Sequence, residues 1–183
     1  MITVGVGPED VQTFDVHEDL LKRHSEFFRA ALSRDWKEKE ERCVKLPEDD
    51  PETFKLFVPF AYTGKVFSAR ENDFRQNEYG TGHTDREYRR ISTAWELADK
   101  VASTSFKDAL VNTLVAKVTR TARYPMGMQD TIYPVSQAQA GIRKLLVDIA
   151  VQYGSGLTRT FLPKKGPSAH SWLISHSRSP RSR

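Results

Sequence analysis

Residues 14–64 read FDVHEDLLKRHSEFFRAALSRDWKEKEERCVKLPEDDPETFKLFVPFAYTG, and this stretch decides the fold. No other part of the chain packs periodic apolar residues so densely. Phe14-Asp15-Val16 alternates, which is strand spacing. From Glu18 the period turns helical: Leu20, Leu21, Phe27, Phe28, Ala31 and Leu32 fall on one stripe, with His24 between them. Glu18 and Asp19 stand in the first turn, where negative charge suits the helix dipole. Ser25, midway along, can cap a second helix, so the spacing predicts two short helices rather than one long one. Cys43-Val44-Lys45-Leu46 reads as a short strand that Pro47 ends. Asp50-Pro51 is a strong helix start, an N-cap carboxylate followed by proline at the first helical position. Phe54, Phe57, Val58, Ala61 and Tyr62 follow at helical spacing, and Thr63-Gly64 stops the helix. Pro59 removes a backbone donor and is expected to kink the last turn.

Upstream, Ile2, Val4 and Val6 alternate with small residues. Gly7-Pro8-Glu9-Asp10 is turn chemistry, and the alternation resumes from Val11 to Val16. Two short strands around a tight polar turn make a hairpin. Downstream, residues 68–85 are polar and punctuated by glycine, and read as an exposed loop. Tyr88, Ile91, Trp95, Ala98 and Ala102 then mark an amphipathic helix, and Phe106, Leu110, Leu114 and Val118 the next. Tyr124-Pro125 breaks the pattern. A last helix, residues 141–153, turns Ile142, Leu145, Leu146 and Ile149 inward. After Gly154 the apolar residues lose their period, and the closing SHSRSPRSR is low-complexity and reads as disordered. The expected organisation is a domain over 1–118 with its polar insert at 68–85, a helical extension over 119–153 and a basic tail over 154–183.

A chain of 183 residues suits one domain. The net charge of +4 comes from the tail. Residues 154–183 hold six Lys/Arg and no Asp/Glu, and taking these six from 28 leaves 22 basic against 24 acidic residues in the rest. The body is mildly acidic, which argues against nucleic-acid binding except through the tail. Cys43 is the single cysteine, so an intrachain disulfide is excluded, and a reducing compartment, cytoplasm or nucleus, is expected. The N-terminal MITVGVGPEDVQ lacks the basic and apolar regions of a signal peptide. No apolar run approaches the roughly 18 residues of a membrane span.

The central stretch resembles the BTB/POZ domain, a protein–protein interaction module of adaptor proteins and transcription regulators. The resemblance rests on Phe14-Asp15-Val16-His17 running into Leu20-Leu21, then Ser25-Glu26-Phe27-Phe28. It continues through Val44-Lys45-Leu46 before the acidic Pro47-Glu48-Asp49-Asp50-Pro51, then Phe54 and Tyr62-Thr63-Gly64. Leu97-Ala98-Asp99-Lys100 is similar to the start of the family's later helical pair. The likeness covers residues 2–118. The polar insert and the later helices are similar to the stand-alone BTB proteins of filamentous fungi. It implies an α+β fold: a small sheet of short strands capped by a cluster of helices, with a helical extension behind. Family members usually carry an Asp-led segment before the first strand, and dimeric members exchange a further N-terminal strand. This chain begins at Met1, so strand-exchanged dimerisation is not expected. No Kelch array, zinc finger or ankyrin repeat follows.

Catalysis finds little support in the residues. A nucleophile needs a base and an orienting group, whereas Cys43 sits in a short strand where packing is its natural role. His17 and His24 lie seven apart, about 10 Å along a helix, too far to share one metal; each reads as a structural histidine. Glu48, Asp49, Asp50 and Glu52 read as capping and dipole residues. Gly5-x-Gly7 and Gly80-x-Gly82 lack the following helix that a phosphate cradle requires. No cofactor, metal or small-molecule substrate is expected.

The binding candidate is Trp36-Lys37-Glu38. In adaptor-type BTB domains the resemblance puts a hydrophobic-x-Glu pattern in this loop, inserted into a groove of the cullin scaffold of ubiquitin ligases. Trp36 and Glu38 fall at those two positions. Trp36 would supply apolar burial and Glu38 a polar contact that fixes register. The other reading makes WKEKEER a solvated helix end whose Trp36 folds back onto the core. The tail is likewise open between a phosphorylatable Ser-Arg segment or nuclear address and an unconstrained terminus. The expected function is a non-catalytic adaptor on a cullin scaffold. The alternative is a self-associating nuclear scaffold that uses the basic tail.

Overall fold

The structure, a computed structural model, describes residues 1–33, 41–69, 82–122, 124–125, 127–137 and 140–153. Among these residues are three strands and seven helices. The chain divides into two compact units, Met1–Leu110 and Val111–Arg183.

The first unit is built on the hairpin. β1 (Ile2–Val6) pairs antiparallel with β2 (Gln12–Val16), with Ile2 opposite Val16 and Val6 opposite Gln12. The turn needs Gly7, whose φ is +118°; a Cβ there would stand 2.9 Å from the Asp10 carbonyl oxygen. β3 (Cys43–Leu46) lies parallel to the other edge of β1, giving the order β2-β1-β3. The inward set Ile2, Val4, Val6, Val16, Val44 and Leu46 is buried, as period-two alternation dictates.

The helices that cover this set follow the sequence expectations closely. α1 (Glu18–His24) and α2 (Glu26–Ser33) are separate helices joined at Ser25. The Ser25 hydroxyl accepts from the Phe28 amide at 3.1 Å, so it caps α2. α3 (Pro51–Thr63) starts at Asp50, whose carboxylate accepts from the amides of Glu52 (3.1 Å) and Thr53 (3.2 Å). A cap of this kind is worth about 1 kcal/mol. The helix continues through Pro59 and ends on left-handed Gly64, φ 71°, whose amide reaches the Phe60 carbonyl at 2.7 Å. α4 (Gly82–Lys100) and α5 (Thr104–Thr121) follow.

Phe28, Phe54, Phe57, Phe60 and Phe106 form one aromatic cluster. Phe57 is its centre, with ring centroids 6.1 Å from Phe28, 5.6 Å from Phe54, 6.1 Å from Phe60 and 5.3 Å from Phe106. α2, α3 and the first turn of α5 are therefore held by one set of rings. Polar pairs tie the periphery. Lys100 reaches Asp49 at 2.9 Å and Glu48 at 3.3 Å. Its bond to Asp49 holds the ammonium pKa above its ordinary value despite partial burial.

Four expectations need correction. The loop expected over 68–85 is shorter: α4 already begins at Gly82, because a polar first turn needs no apolar stripe to be helical. Ser68 is buried rather than exposed, its hydroxyl bonded to the Glu87 carboxylate at 2.7 Å and its carbonyl to Arg90 Nε at 2.9 Å. Ala102 is not an inward helical residue; it sits exposed in the turn after α4 with φ 49°, and Val101 takes the buried position. Phe27 and Tyr62 are partly exposed, although both lie on the stripe read as core.

In the second unit, α6 (Met128–Val135) was not foreseen, since Pro125 before it and Pro134 within it mask its period. α7 (Gly141–Tyr153) buries Ile142, Leu145, Leu146 and Ile149 as expected, and Met128 and Ile132 of α6 are buried with them. Arg143 donates to the carbonyls of Tyr133 and Ser136, which lie at the end of α6. Its guanidinium also stands 5.0 Å from the Tyr133 ring centroid. One side chain thus satisfies carbonyls that a helix C-terminus leaves open.

Candidate functional site

Trp36 and Glu38 lie outside the described residues, as does the basic tail. The structure does describe the ground on either side of them. α2 closes at Ser33, and the chain resumes at Glu41-Arg42 before β3. Arg42 has φ 50°. Its carbonyl accepts from the Thr3 amide at 3.0 Å, and its guanidinium donates to the Met1 carbonyl at 3.2 and 2.9 Å. The same guanidinium stands 3.9 Å from the Glu18 carboxylate at the start of α1. The hydrogen bond from Lys22, with help from Arg42, holds the Glu18 pKa below its ordinary value.

This anchorage lies at one end of the sheet. Ile2 pairs with Val16, so Met1 and His17 follow at the same end of the hairpin. The His17 Nδ1 stands 2.7 Å from the Tyr62 hydroxyl, and the His17 amide donates to the same oxygen at 3.4 Å. The two rings meet edge to face at 5.7 Å. Tyr62 is 48% exposed and Met1 54%. Exposed apolar groups, Met1 and Tyr62, therefore lie at the same end of the hairpin as the charges of Glu18 and Arg42.

This corner combines exposed apolar surface with paired charges. A tyrosine whose hydroxyl is tied down offers a fixed apolar face at little entropic cost. The helical spacing alone groups Tyr62 with Phe54, Phe57 and Ala61. Its signal was its position: it is the last aromatic of the helix, one residue past the buried Ala61.

The other sequence candidates resolve into structural roles. His24 Nδ1 lies 3.1 Å from the Ser105 hydroxyl, and its ring packs against Phe60. Cys43 is half-buried in β3. Asp50 caps α3, and Asp49 and Glu48 pair with Lys100. Gly5 and Gly7 serve the hairpin. Gly82 opens α4, which corrects the reading that no helix follows Gly80-x-Gly82; Gly80 is outside the described residues. A helix start alone does not make a phosphate site. Among the described residues, no three His, Cys, Asp or Glu side chains are grouped to hold a metal ion. Nor, among them, is any helix long and apolar enough to cross a membrane.

Comparison with known proteins agrees with this architecture. Residues 2–76 match the family model described as the BTB/POZ domain. A 53-residue stretch is 38% identical to mouse (Mus musculus) TD and POZ domain-containing protein 4, covering 29% of this chain and 14% of that protein. A 63-residue stretch is 33% identical to human (Homo sapiens) Kelch-like protein 6, covering 34% of this chain and 10% of that protein. The chain thus matches only a small part of the length of these relatives. Residues 2–76 thus match a BTB/POZ domain, and the three-stranded sheet with its helices is consistent with the α+β fold of that domain.

Proposed function

We propose that this chain is a non-catalytic protein–protein interaction module, and that it acts as an adaptor docking a cullin-type ubiquitin-ligase scaffold through Trp36 and Glu38. BTB/POZ domains are interaction modules, which supports the coarser half of this reading. The finer half is supported by the corner formed by Met1, His17, Tyr62, Glu18 and Arg42. Arg42, four positions after Glu38 in sequence, is anchored there, with exposed apolar surface and a tethered aromatic at the same end of the hairpin. Trp36 would be the buried anchor, Glu38 the register-fixing polar contact and Tyr62 a neighbouring aromatic contact. In this reading the domain spans 1–118. The helical extension over 119–153, or a second chain, recruits the client. The lone Cys43 suits the cytoplasm or nucleus.

The test is a binding assay with the N-terminal domain of a cullin. Wild type is expected to bind, and Trp36→Ala to weaken binding by about 30-fold, since a hot-spot truncation costs about 2 kcal/mol. Glu38→Lys is expected to weaken it as well, while both variants keep the wild-type circular dichroism. The adaptor reading fails if wild type does not bind or if both variants bind equally well.

One feature favours a second reading, a self-associating nuclear scaffold: the six basic and no acidic residues of 154–183. It predicts a dimer in light scattering and DNA binding that weakens steeply with salt and is lost when 154–183 are deleted. A monomer without DNA affinity rules it out.

A further inference from the structure

We propose that the His24 imidazole is a proton-sensitive latch that holds the joint between α1 and α2 on the turn between α4 and α5. The joint makes four contacts with that turn and its flank. The Ser25 hydroxyl donates to the Val101 carbonyl at 2.6 Å. The amides of Glu26 and Phe27 reach the carbonyls of Ala102 and Val101, both at 3.4 Å. The fourth is His24 Nδ1 to the Ser105 hydroxyl at 3.1 Å. Two of these bonds are long, and the turn carries Ala102 in a left-handed conformation. Beside the aromatic cluster that ties α2 to α3 and α5, the seam thus carries four polar contacts, one of them to a titratable ring.

The surroundings of that ring favour its neutral form. α3 offers the Phe60 ring, edge to face at 5.0 Å, and Phe60 itself packs on Phe106 at 4.8 Å. α5 offers Ser105 in its first turn, where the helix dipole is positive. Lys107 and Asp108 follow on α5, with Lys107 bound to Asp99 at the end of α4. α1 itself contributes Arg23, next in sequence. Glu26 and Arg29 of α2 are paired with each other, and Lys100 is taken by Asp49. Burial first, and the Arg23 charge second, hold the His24 pKa below its ordinary value.

The sign follows from linkage. A histidine whose folded pKa lies below its unfolded value of about 6.5 contributes stability that is present above that pH. This contribution is lost progressively as pH falls below about 6.5. Acidification should therefore weaken the hold of His24 on the α4–α5 turn. α2 runs from the α1–α2 joint to Ser33, so the device acts on the helix that leads into residues 34–40.

The test is hydrogen exchange of the Glu26 and Phe27 amides between about pH 7.5 and pH 5, expressed as protection factors so that intrinsic exchange drops out. In wild type, protection is expected to fall with pH, by up to about tenfold for each unit by which the His24 pKa is lowered. In His24→Gln, which keeps a polar partner for Ser105 but does not titrate, the fall should vanish. In His17→Gln it should persist. An equal fall in wild type and His24→Gln overturns the proposal. So does an imidazole that titrates at or above the ordinary value in a wild-type NMR titration, a measurement that stands even if His24→Gln does not fold.

Discussion

Phe57→Ala is expected to cost about 3–5 kcal/mol of folding stability, the range for truncating a fully buried phenylalanine. Small domains have only about 5–15 kcal/mol in total, so the variant should be close to unfolded at ordinary temperature. The reason is location as well as size. Phe57 meets four other phenylalanines, from α2, its own helix and α5. A cavity there cannot close by moving one neighbour, because each ring is held by others. Urea unfolding should show a much lower midpoint with an unchanged slope. Phe57→Leu, which keeps most of the volume, should lose distinctly less. Val147→Ala, on the exposed face of α7, should stay within about 0.5 kcal/mol of wild type. A loss below about 1 kcal/mol for Phe57→Ala would show that the rings are not the keystone of this unit.

Why so much of this fold was legible from sequence can be seen at particular residues. Ile2, Val4 and Val6 alternate in a strand with one buried face, and the period alone sets their direction. Asp50-Pro51 and Gly64 mark the ends of α3 by local chemistry that needs no tertiary context. The exceptions are residues whose state depends on distant partners. Ser68 looks like loop until Glu87, 19 positions later, is brought against it. Tyr62 shares its stripe with core residues, yet it is exposed, its hydroxyl held by His17, 45 positions earlier. α6 is hidden because Pro125 before it and Pro134 within it speak locally against a helix whose Met128 and Ile132 are nevertheless buried. The candidate site divides in the same way. Trp36 and Glu38 stand out through a short pattern and lie outside the described residues, whereas the corner is assembled from Met1, His17, Arg42 and Tyr62, which no spacing rule connects.

Ser25→Ala is expected to cost about 2–4 kcal/mol, more than a single cap is usually worth. The sequence identifies half of its role. The hydroxyl accepts from the Phe28 amide and caps α2, and losing that bond costs about 1 kcal/mol. The other half appears only in the fold, where the same hydroxyl donates to the Val101 carbonyl at 2.6 Å. Ser25 is buried, with 1% of its surface exposed. Alanine would therefore leave the Phe28 amide without this partner in a site closed to water, which costs about 1–3 kcal/mol, and would leave the Val101 carbonyl only the long 3.4 Å bond from the Phe27 amide. Ser25→Thr keeps both donor and acceptor and adds one methyl group, so it should recover most of the loss. Ser25→Asp separates the roles: it can cap α2, but an ionised carboxylate cannot donate to Val101 and would face its carbonyl oxygen. If the double role is real, thermal unfolding should rank wild type above Thr, with Ala and Asp well below. If Asp matches wild type, capping alone accounts for Ser25, and the α1–α2 joint must be held on the α4–α5 turn chiefly by His24 and the Glu26 and Phe27 amides.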